Sequence, residues 1–279
     1  MSTTLSAHSL AAITNFFYQH SGIRLQPTKR QLVVSRLTRE AARLKCATLD
    51  DYVTRILAAP QSDEARHVID LLTTNETYFF RESEHFKQLA HLLRHDPGRQ
   101  MLRVWSAAAS SGEEAYSIAM TLARHAGARP WEVIGTDLST RVVAQARQGL
   151  YVAERCSRIE QADLKRWCLR GEGAYRGQVL MNRELRAKVR FEVGNLLHPM
   201  PELGLFDVIF LRNVLIYFEG EAKSQLIANV IQRLKPGAYL YTGHAESLRG
   251  TPHPGLQQVA PSIYRAVEDE SRNRHTKLG

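Results

Sequence analysis

Apolar positions near the start of the chain recur at helical spacing. Between residues 6 and 20, Leu10, Ile13 and Phe17 share one face, and Gly22 supplies a stop. Over residues 29–45 the stripe is Val33, Leu37, Ala41 and Leu44. Thr48 with Asp51 three later reads as a capping box opening a third helix that ends near Pro60. Ser62 caps a fourth helix carrying Val68, Leu71 and Leu72. These patterns predict a small all-helical domain over residues 1–72. The period then fails in residues 73–82, TTNETYFFRE, where polar and aromatic residues mix at neither 2 nor 3.6. That segment is too aromatic for a flexible tether, and residues 73–85 read as a linker packed against a cleft. Ser83 caps a further helix through Phe86, Leu89 and Leu93, closed by Asp96, Pro97 and Gly98.

Beyond it the rhythm becomes strand, loop, helix. Leu102, Val104 and Trp105 lead into small residues and then a helix with Tyr116, Ile118, Met120 and Leu122. Strands are predicted over 132–136, 189–193, 206–211 (FDVIFL), 238–243 and 262–267, the last after a loop over 251–261. Helices are predicted over 141–147, 156–167 and 221–234. Repeated βα units predict an α/β domain over residues 86–267, a doubly wound, mostly parallel sheet with its ligand at the carboxyl ends of the strands. Gly171, Gly173 and Gly177, beside a short strand at 178–181, mark a small antiparallel β insertion over 168–190. Residues 268–279 are charged and aperiodic and read as a disordered tail.

Composition changes this picture little. With 44% hydrophobic and 23% charged residues among 279, the chain reads as soluble and globular. Residues 1–19 lack the basic start of a signal peptide and are too polar for a span, so a cytoplasmic protein without direct membrane insertion is expected. Cys46, Cys156 and Cys168 form no C-x-x-C pair, which argues for a reducing compartment, and the chain shows no metal-ligand spacing. Charge matters more: 37 basic against 28 acidic side chains leave +9, which attracts nucleic acid, anionic lipid or an acidic protein surface. Lys29, Arg36, Arg39 and Arg43 fall within roughly an 80° arc away from the apolar stripe. Such an arc is ordinarily a solvated helix face.

The candidate chemistry begins at the loop 106–112. Small side chains before a helix start suit close approach of a ligand, and Asp137, at the end of the next strand, stands where a nucleotide-binding βαβ unit places a carboxylate on ribose. The loop holds one glycine, Gly112, and so fails the dinucleotide pattern. Glu114 beside it would repel a pyrophosphate. A phosphate-free adenosine cofactor with a cationic centre fits better, as S-adenosylmethionine does; the plain alternative is an ordinary βα turn. Asn195 follows the third strand of the series, where an amide can read an adenine edge. Arg212, Asn213 and Tyr217 follow the fourth. A cation directly after a buried strand is expensive unless paired, and its plain explanation is a salt bridge to Asp137 or Glu114. His244 and Glu246 follow the fifth strand and read as rim residues. No Ser-His-Asp order and no P-loop is present.

Taken together, TTNETYFFRE, WSAAASSGEEAYSIA, GTDLS, FDVIFLRNVLIYF and LKPGAYLYTGHAES resemble, in order and spacing, the chemotaxis receptor methyltransferases of the CheR type. The resemblance implies a class I methyltransferase-like fold and S-adenosylmethionine-dependent methyl esterification of glutamates on the cytoplasmic domains of transmembrane chemoreceptors, with S-adenosylhomocysteine as product. It puts the cofactor contacts on Asn75, Thr77, Arg81, Glu114, Asp137, Asn195, Leu196, Leu211 and Arg212. Arg81 and Tyr217 match the pair held to sit beside methyl donor and acceptor. The resemblance gives the arc of Arg36, Arg39 and Arg43 an acidic receptor partner, and the glycine insertion a receptor C-terminal peptide tether, with Arg170 placed to bind it. Leu180 stands where tether-binding members carry a second arginine, so tether binding stays open.

Two rivals remain at this level. A nucleic-acid methyltransferase would also use the surplus charge, but RNVLIYF lacks the prolines that base methylation uses after this strand, and no nucleic-acid partner is expected. A non-catalytic cofactor-binding regulator is disfavoured by the presence of both Arg81 and Tyr217.

Overall fold

The computed structural model describes residues 4–95, 100–248 and 255–267. The chain forms two compact units, Met1–Thr74 with Tyr217–Ala222, and Asn75–Ile216 with Lys223–Gly279.

The first unit contains α1 (Ala7–Ser21), α2 (Arg30–Arg43), α3 (Leu49–Ala58) and α4 (Asp63–Leu72). Local chemistry sets their ends. Ser6 Oγ accepts from Ser9 N–H, Gly22 closes α1 in the left-handed region, and Thr48 and Asp51 make the reciprocal capping box. Ser62 caps α4 through Ala65 N–H. Of the predicted stripes, Ile13, Phe17, Val33, Leu37, Ala41, Val68 and Leu72 are buried in one core with Tyr52, Val53 and Ile56, while Leu10, Leu44 and Leu71 are half-buried. Arg36 Nη1 donates to the carbonyls of Leu72 and Thr73, at 2.9 and 3.1 Å, and so satisfies orphan acceptors at the end of α4.

The second unit opens with α5 (Glu84–His95) and continues through β1 (Leu102–Ala107), α6 (Glu113–His125), β2 (Trp131–Asp137) and α7 (Thr140–Gln148). Then come β3 (Leu150–Val152), α8 (Gln161–Trp167), β4 (Cys168–Arg170), β5 (Gln178–Met181) and α9 (Arg183–Arg186). The chain ends with β6 (Val189–Val193), β7 (Phe206–Leu211), α10 (Gly220–Ile231), β8 (Leu234–Thr242), β9 (Leu256–Ala260) and β10 (Ile263–Ala266). Seven strands make one sheet in the order β6-β2-β1-β7-β8-β10-β9. It is parallel from β6 to β8, and β10 and β9 run antiparallel at one edge. The chain leaves β1 for β2 and β6 on one side and returns for β7 and β8 on the other. A crevice therefore opens at the carboxyl ends of β1 and β7. Registers Ala107↔Thr136 and Ala107↔Leu211 bring the Ala108 loop, Asp137 and Arg212 to that edge. The insertion predicted over 168–190 supplies β4 and β5 of a three-stranded antiparallel sheet, β3-β5-β4, whose third strand β3 comes from before it, and residues 189–190 belong to β6 of the main sheet.

Several boundaries differ from expectation. The helix predicted over 156–167 is broken: a 3-10 turn, Ala153–Cys156, precedes a bend, and α8 starts only after Glu160. Ile159, 4% exposed, anchors that bend in the core, so an apolar residue that fits a helical stripe is spent on a turn. Leu234 opens β8 instead of closing the preceding helix, pairing with Phe206. The loop predicted over 251–261 contains β9, whose Gln257 and Gln258 face water at a sheet edge and mask its strand character. The turn predicted at 96–98 and the tail at 268–279 lie outside the described residues. Among the described residues, no helix is long and apolar enough to cross a membrane.

Leu37 is fully buried in the helical core. Leu37→Ala is expected to destabilise the chain by about 2–5 kcal/mol, read from the urea midpoint of the full-length protein.

Candidate active site

The loop between β1 and α6 turns through backbone conformations that side chains rarely adopt. Ala108, Ser110 and Gly112 have φ of 66, 51 and 96°. At Gly112 a Cβ would lie 2.9 Å from Ala146 Cβ, so the glycine serves contact with α7 as well as the turn. Asp137, 6% exposed, holds the loop in place. One of its oxygens accepts Ser110 N–H at 2.8 Å and the other Ser139 N–H at 3.0 Å, tying the loops after β1 and β2 to one carboxylate. Ser110 Oγ in turn donates to the Asn75 carbonyl at 3.0 Å, which brings the TNETYFFRE segment to the same loop.

Two adjacent acids open α6 and point to different partners. Glu113 is fully buried, takes Ser111 Oγ at 2.8 Å and pairs with Arg155; burial pushes its carboxyl above the ordinary range. Glu114 takes Ser106 Oγ at 2.7 Å and Arg212 Nη1 at 3.0 Å. Burial pushes this carboxyl up as well, against the pull of Arg212.

Arg212 is paired as the sequence suggested, but with two acids. Its side chain is 0% exposed and bonds Glu114 on one arm and Glu82, at 3.0 Å, on the other, where it also meets the Arg81 carbonyl. Phe86 and Phe210 lie 5.5 and 5.9 Å from its guanidinium carbon. Glu82 does more than neutralise it. The same carboxylate accepts Asn213 Nδ2 at 3.1 Å and His244 N–H at 3.2 Å. Burial would raise the Glu82 carboxyl, but the bonds from Asn213 and Arg212 outweigh it and hold the group below its ordinary value. Glu246, 5% exposed, accepts Asn213 N–H at 2.7 Å, Gly243 N–H at 2.8 Å and Ile216 N–H at 3.3 Å, fastening the end of β7 to that of β8.

Sequence reasoning missed Glu82 and took Glu246 for a rim residue. Glu82 carries no local signal, because its partners Arg212, Asn213 and His244 are distant in the sequence.

The remaining predicted residues divide. Arg81 donates to the Glu76 carbonyl at 3.1 Å and lies 5.6 Å over the Tyr78 ring. The Thr77 carbonyl accepts Arg155 at 3.1 Å. Asn195 Oδ1 accepts Leu197 N–H at 3.0 Å, and the Leu196 carbonyl accepts Asn229 Nδ2 at 3.0 Å, so both residues shape the turn after β6. Leu211 is fully buried as the last residue of β7. Tyr217 ends a 3-10 turn, Leu215–Tyr217, in a segment that groups with the helical unit. Of the basic arc, Arg36 is engaged at the end of α4, Arg43 is paired with Glu40 and Glu64 at 2.6 Å each, and Arg39 is exposed. Arg170 is exposed at the end of β4, and Leu180 is half-buried in β5 opposite Leu150 and Leu169.

Asn75 Nδ2 and Arg212 Nε are shut off from solvent with no acceptor in the protein. Such donors are seldom left unmet in a native fold. Asn75 therefore offers a buried donor to a ligand lying against the Ser110 loop, among acids that exclude phosphate. A phosphate-free cofactor with hydroxyl, amino or ring-nitrogen acceptors fits these residues.

Comparisons with known proteins agree with that chemistry. Residues 75–262 match the family described as CheR methyltransferase, SAM binding domain, and residues 8–73 match CheR methyltransferase, all-alpha domain. The chemotaxis protein methyltransferase of Escherichia coli K12 is 40% identical over 248 residues, covering 87% of this chain and 85% of its own. That of Salmonella typhimurium LT2 is 40% identical over 249 residues, with coverage of 87% and 85%. Chemotaxis protein methyltransferase 2 of Pseudomonas aeruginosa is 38% identical over 251 residues, covering 88% and 89%.

Removing Arg212 leaves the half-buried carboxylates of Glu82 and Glu114 without their shared cation. Arg212→Ala is expected to lower stability by about 3–5 kcal/mol in chemical denaturation, with Arg212→Lys recovering only part because one ammonium cannot span both acids.

Proposed function

This chain belongs to the CheR methyltransferase family, and we propose that it esterifies glutamate side chains on the cytoplasmic domains of transmembrane chemoreceptors. It is an S-adenosylmethionine-dependent methyltransferase of chemotaxis. The observation that supports the reading best is the orphan amide of Asn75 beside a βα loop ringed by Asp137, Glu113 and Glu114. Such a loop suits a cofactor with a positive centre and no phosphate.

Bound there, S-adenosylmethionine supplies a methyl group on a sulfonium sulfur and leaves as S-adenosylhomocysteine. The protein's part is position and exclusion of water. A substrate glutamate is already ionised at neutral pH, so the site needs no general base to activate it. Asp137 is assigned to the ribose and Asn195 to the adenine edge, with Leu196 and Leu211 supplying apolar contact. Asn75, Thr77, Glu114 and Arg212 hold the amino-acid end of the donor. Arg81 orients the reacting groups, and the Tyr217 hydroxyl donates a hydrogen bond that aims one carboxylate oxygen at the methyl carbon.

Substrate helices rich in glutamate present negative charge, and an exposed cation on the helical unit speeds encounter with them. Arg39 is the arginine of the arc best suited to this role, since Arg36 and Arg43 are engaged within their own unit. The receptor tether peptide is a further ligand for the β3-β5-β4 sheet through Arg170, to be judged by titration with a receptor C-terminal peptide. A protein acting on these domains works in the cytoplasm.

Incubation with methyl-labelled donor and receptor cytoplasmic fragments should yield base-labile methanol, which distinguishes a carboxyl ester from a methylated amine. Arg81→Ala and Tyr217→Phe are each expected to slow this transfer at least tenfold, and wild-type rates in both would remove them from the mechanism. Asp137→Asn should weaken S-adenosylhomocysteine binding at least tenfold in calorimetry. Arg39→Glu should slow receptor methylation several-fold at low salt and leave that affinity unchanged; the difference should shrink as salt screens the charge.

A further inference from the structure

The network around Arg212 contains a histidine that none of the roles above uses. His85, in the first turn of α5, is 2% exposed, and neither of its ring nitrogens has a hydrogen-bond partner. A buried polar group left unmet is costly to a native fold. Its Nδ1 lies 3.6 Å from Glu82 Oε2. The ring of His244, from the loop after β8, packs edge-on at a centroid distance of 4.9 Å, and Tyr241 closes another side at 5.5 Å. One ligand atom from each of Glu82, His85 and His244 lies within 4.8 Å of the other two.

We propose that Glu82, His85 and His244 form a binding site for one divalent transition cation of the zinc or cobalt class. Two imidazoles and one carboxylate select such ions over magnesium or calcium, which prefer oxygen ligands throughout. Three carboxylates stand near the Arg212 guanidinium. Glu82, Glu114 and Glu246 converge on the ends of β7 and β8, and Arg212 is the cation that pairs with the first two. His244 is exposed and gives the ion a route from solvent, and water can complete its coordination. On the Glu82 side the ion would replace the 3.2 Å bond from His244 N–H, the longest on that carboxylate.

The sequence could not show this site, because its ligands come from positions 82, 85 and 244 and only the fold brings them together. A second histidine pair, His91 and His95, stacks at 4.0 Å on the exposed face of α5 and serves as the internal control.

The test uses the full chain without its donor, with the metal alone as probe. Calorimetry with zinc should show one equivalent bound, and cobalt should give visible d–d bands of a nitrogen and oxygen ligand set. His244→Ala removes an exposed side chain and should weaken zinc at least tenfold with the thermal midpoint of the metal-free protein unchanged. His91→Ala should bind as wild type. The proposal is overturned by any of four results: no saturable uptake, equal affinity in wild type and His244→Ala, loss of binding in His91→Ala, or a thiolate-to-cobalt charge-transfer band.

Discussion

A single guanidinium holds the reactive edge of the sheet together. Arg212 has no solvent exposure and could not stay charged there without compensation, because an unpaired ion in the interior costs several kcal/mol. Its compensation comes from two directions. Glu114 belongs to the first turn of α6, and Glu82 to the aromatic segment before α5. One ion-pair network therefore fixes three pieces of chain that share no secondary structure. Glu82 extends the network to Asn213 and to the backbone of His244, and Glu246 closes it by gripping the backbone of both loops. Because this network is buried, salt screens it far less than the exposed pairs elsewhere.

That constraint explains the strained backbone. Phe80, Glu82 and Asn213 have φ of 54, 53 and 58°, conformations that cost a non-glycine residue of order 1 kcal/mol or more. Glu82 and Asn213 persist through the bonds made by the Glu82 and Glu246 carboxylates, and Phe80 N–H is held by Ser117 Oγ at 2.9 Å. The loop after β1 shows the same logic with Asp137 as the anchor. There a carboxylate binds the amides that a less strained turn would leave to water. The crevice is thus shaped by acids acting on backbone and on one arginine, before any ligand is considered.

Periodicity carried the fold a long way. The stripe of α2 and the cap of α3 follow from side-chain spacing and local hydrogen bonds, and both were legible. So were the strands β1, β2 and β7, with Asp137 at the end of β2 and Arg212 directly after β7. What escaped was whatever depends on distant partners. Ile159 fits a helical stripe yet anchors a turn, and β9 is paired on one side only, with glutamines outward. Glu82 sits in a segment with no period, and its partners Arg212, Asn213 and His244 lie 130 or more positions away in sequence. No local rule marks such a residue. The arginines of α2 are a related case: their shared face was visible, but the carbonyls of Leu72 and Thr73 that engage Arg36, and the Glu64 that engages Arg43, belong to a different helix.

The pair Glu113 and Glu114 explains why this βα loop takes a cofactor without phosphate. The start of a helix carries partial positive charge and unpaired amides, which is why dinucleotide folds place pyrophosphate there. Here the first two residues of α6 are both acids, and each is turned to a partner on its own side, Glu113 to Ser111 and Arg155, Glu114 to Ser106 and Arg212. The first turn of this helix thus carries two carboxylates of its own, which disfavour a phosphate there. Two arginines balance them in charge, each held in one of those pairs. A ligand with a positive centre, such as a sulfonium, suits these carboxylates better than a phosphate does.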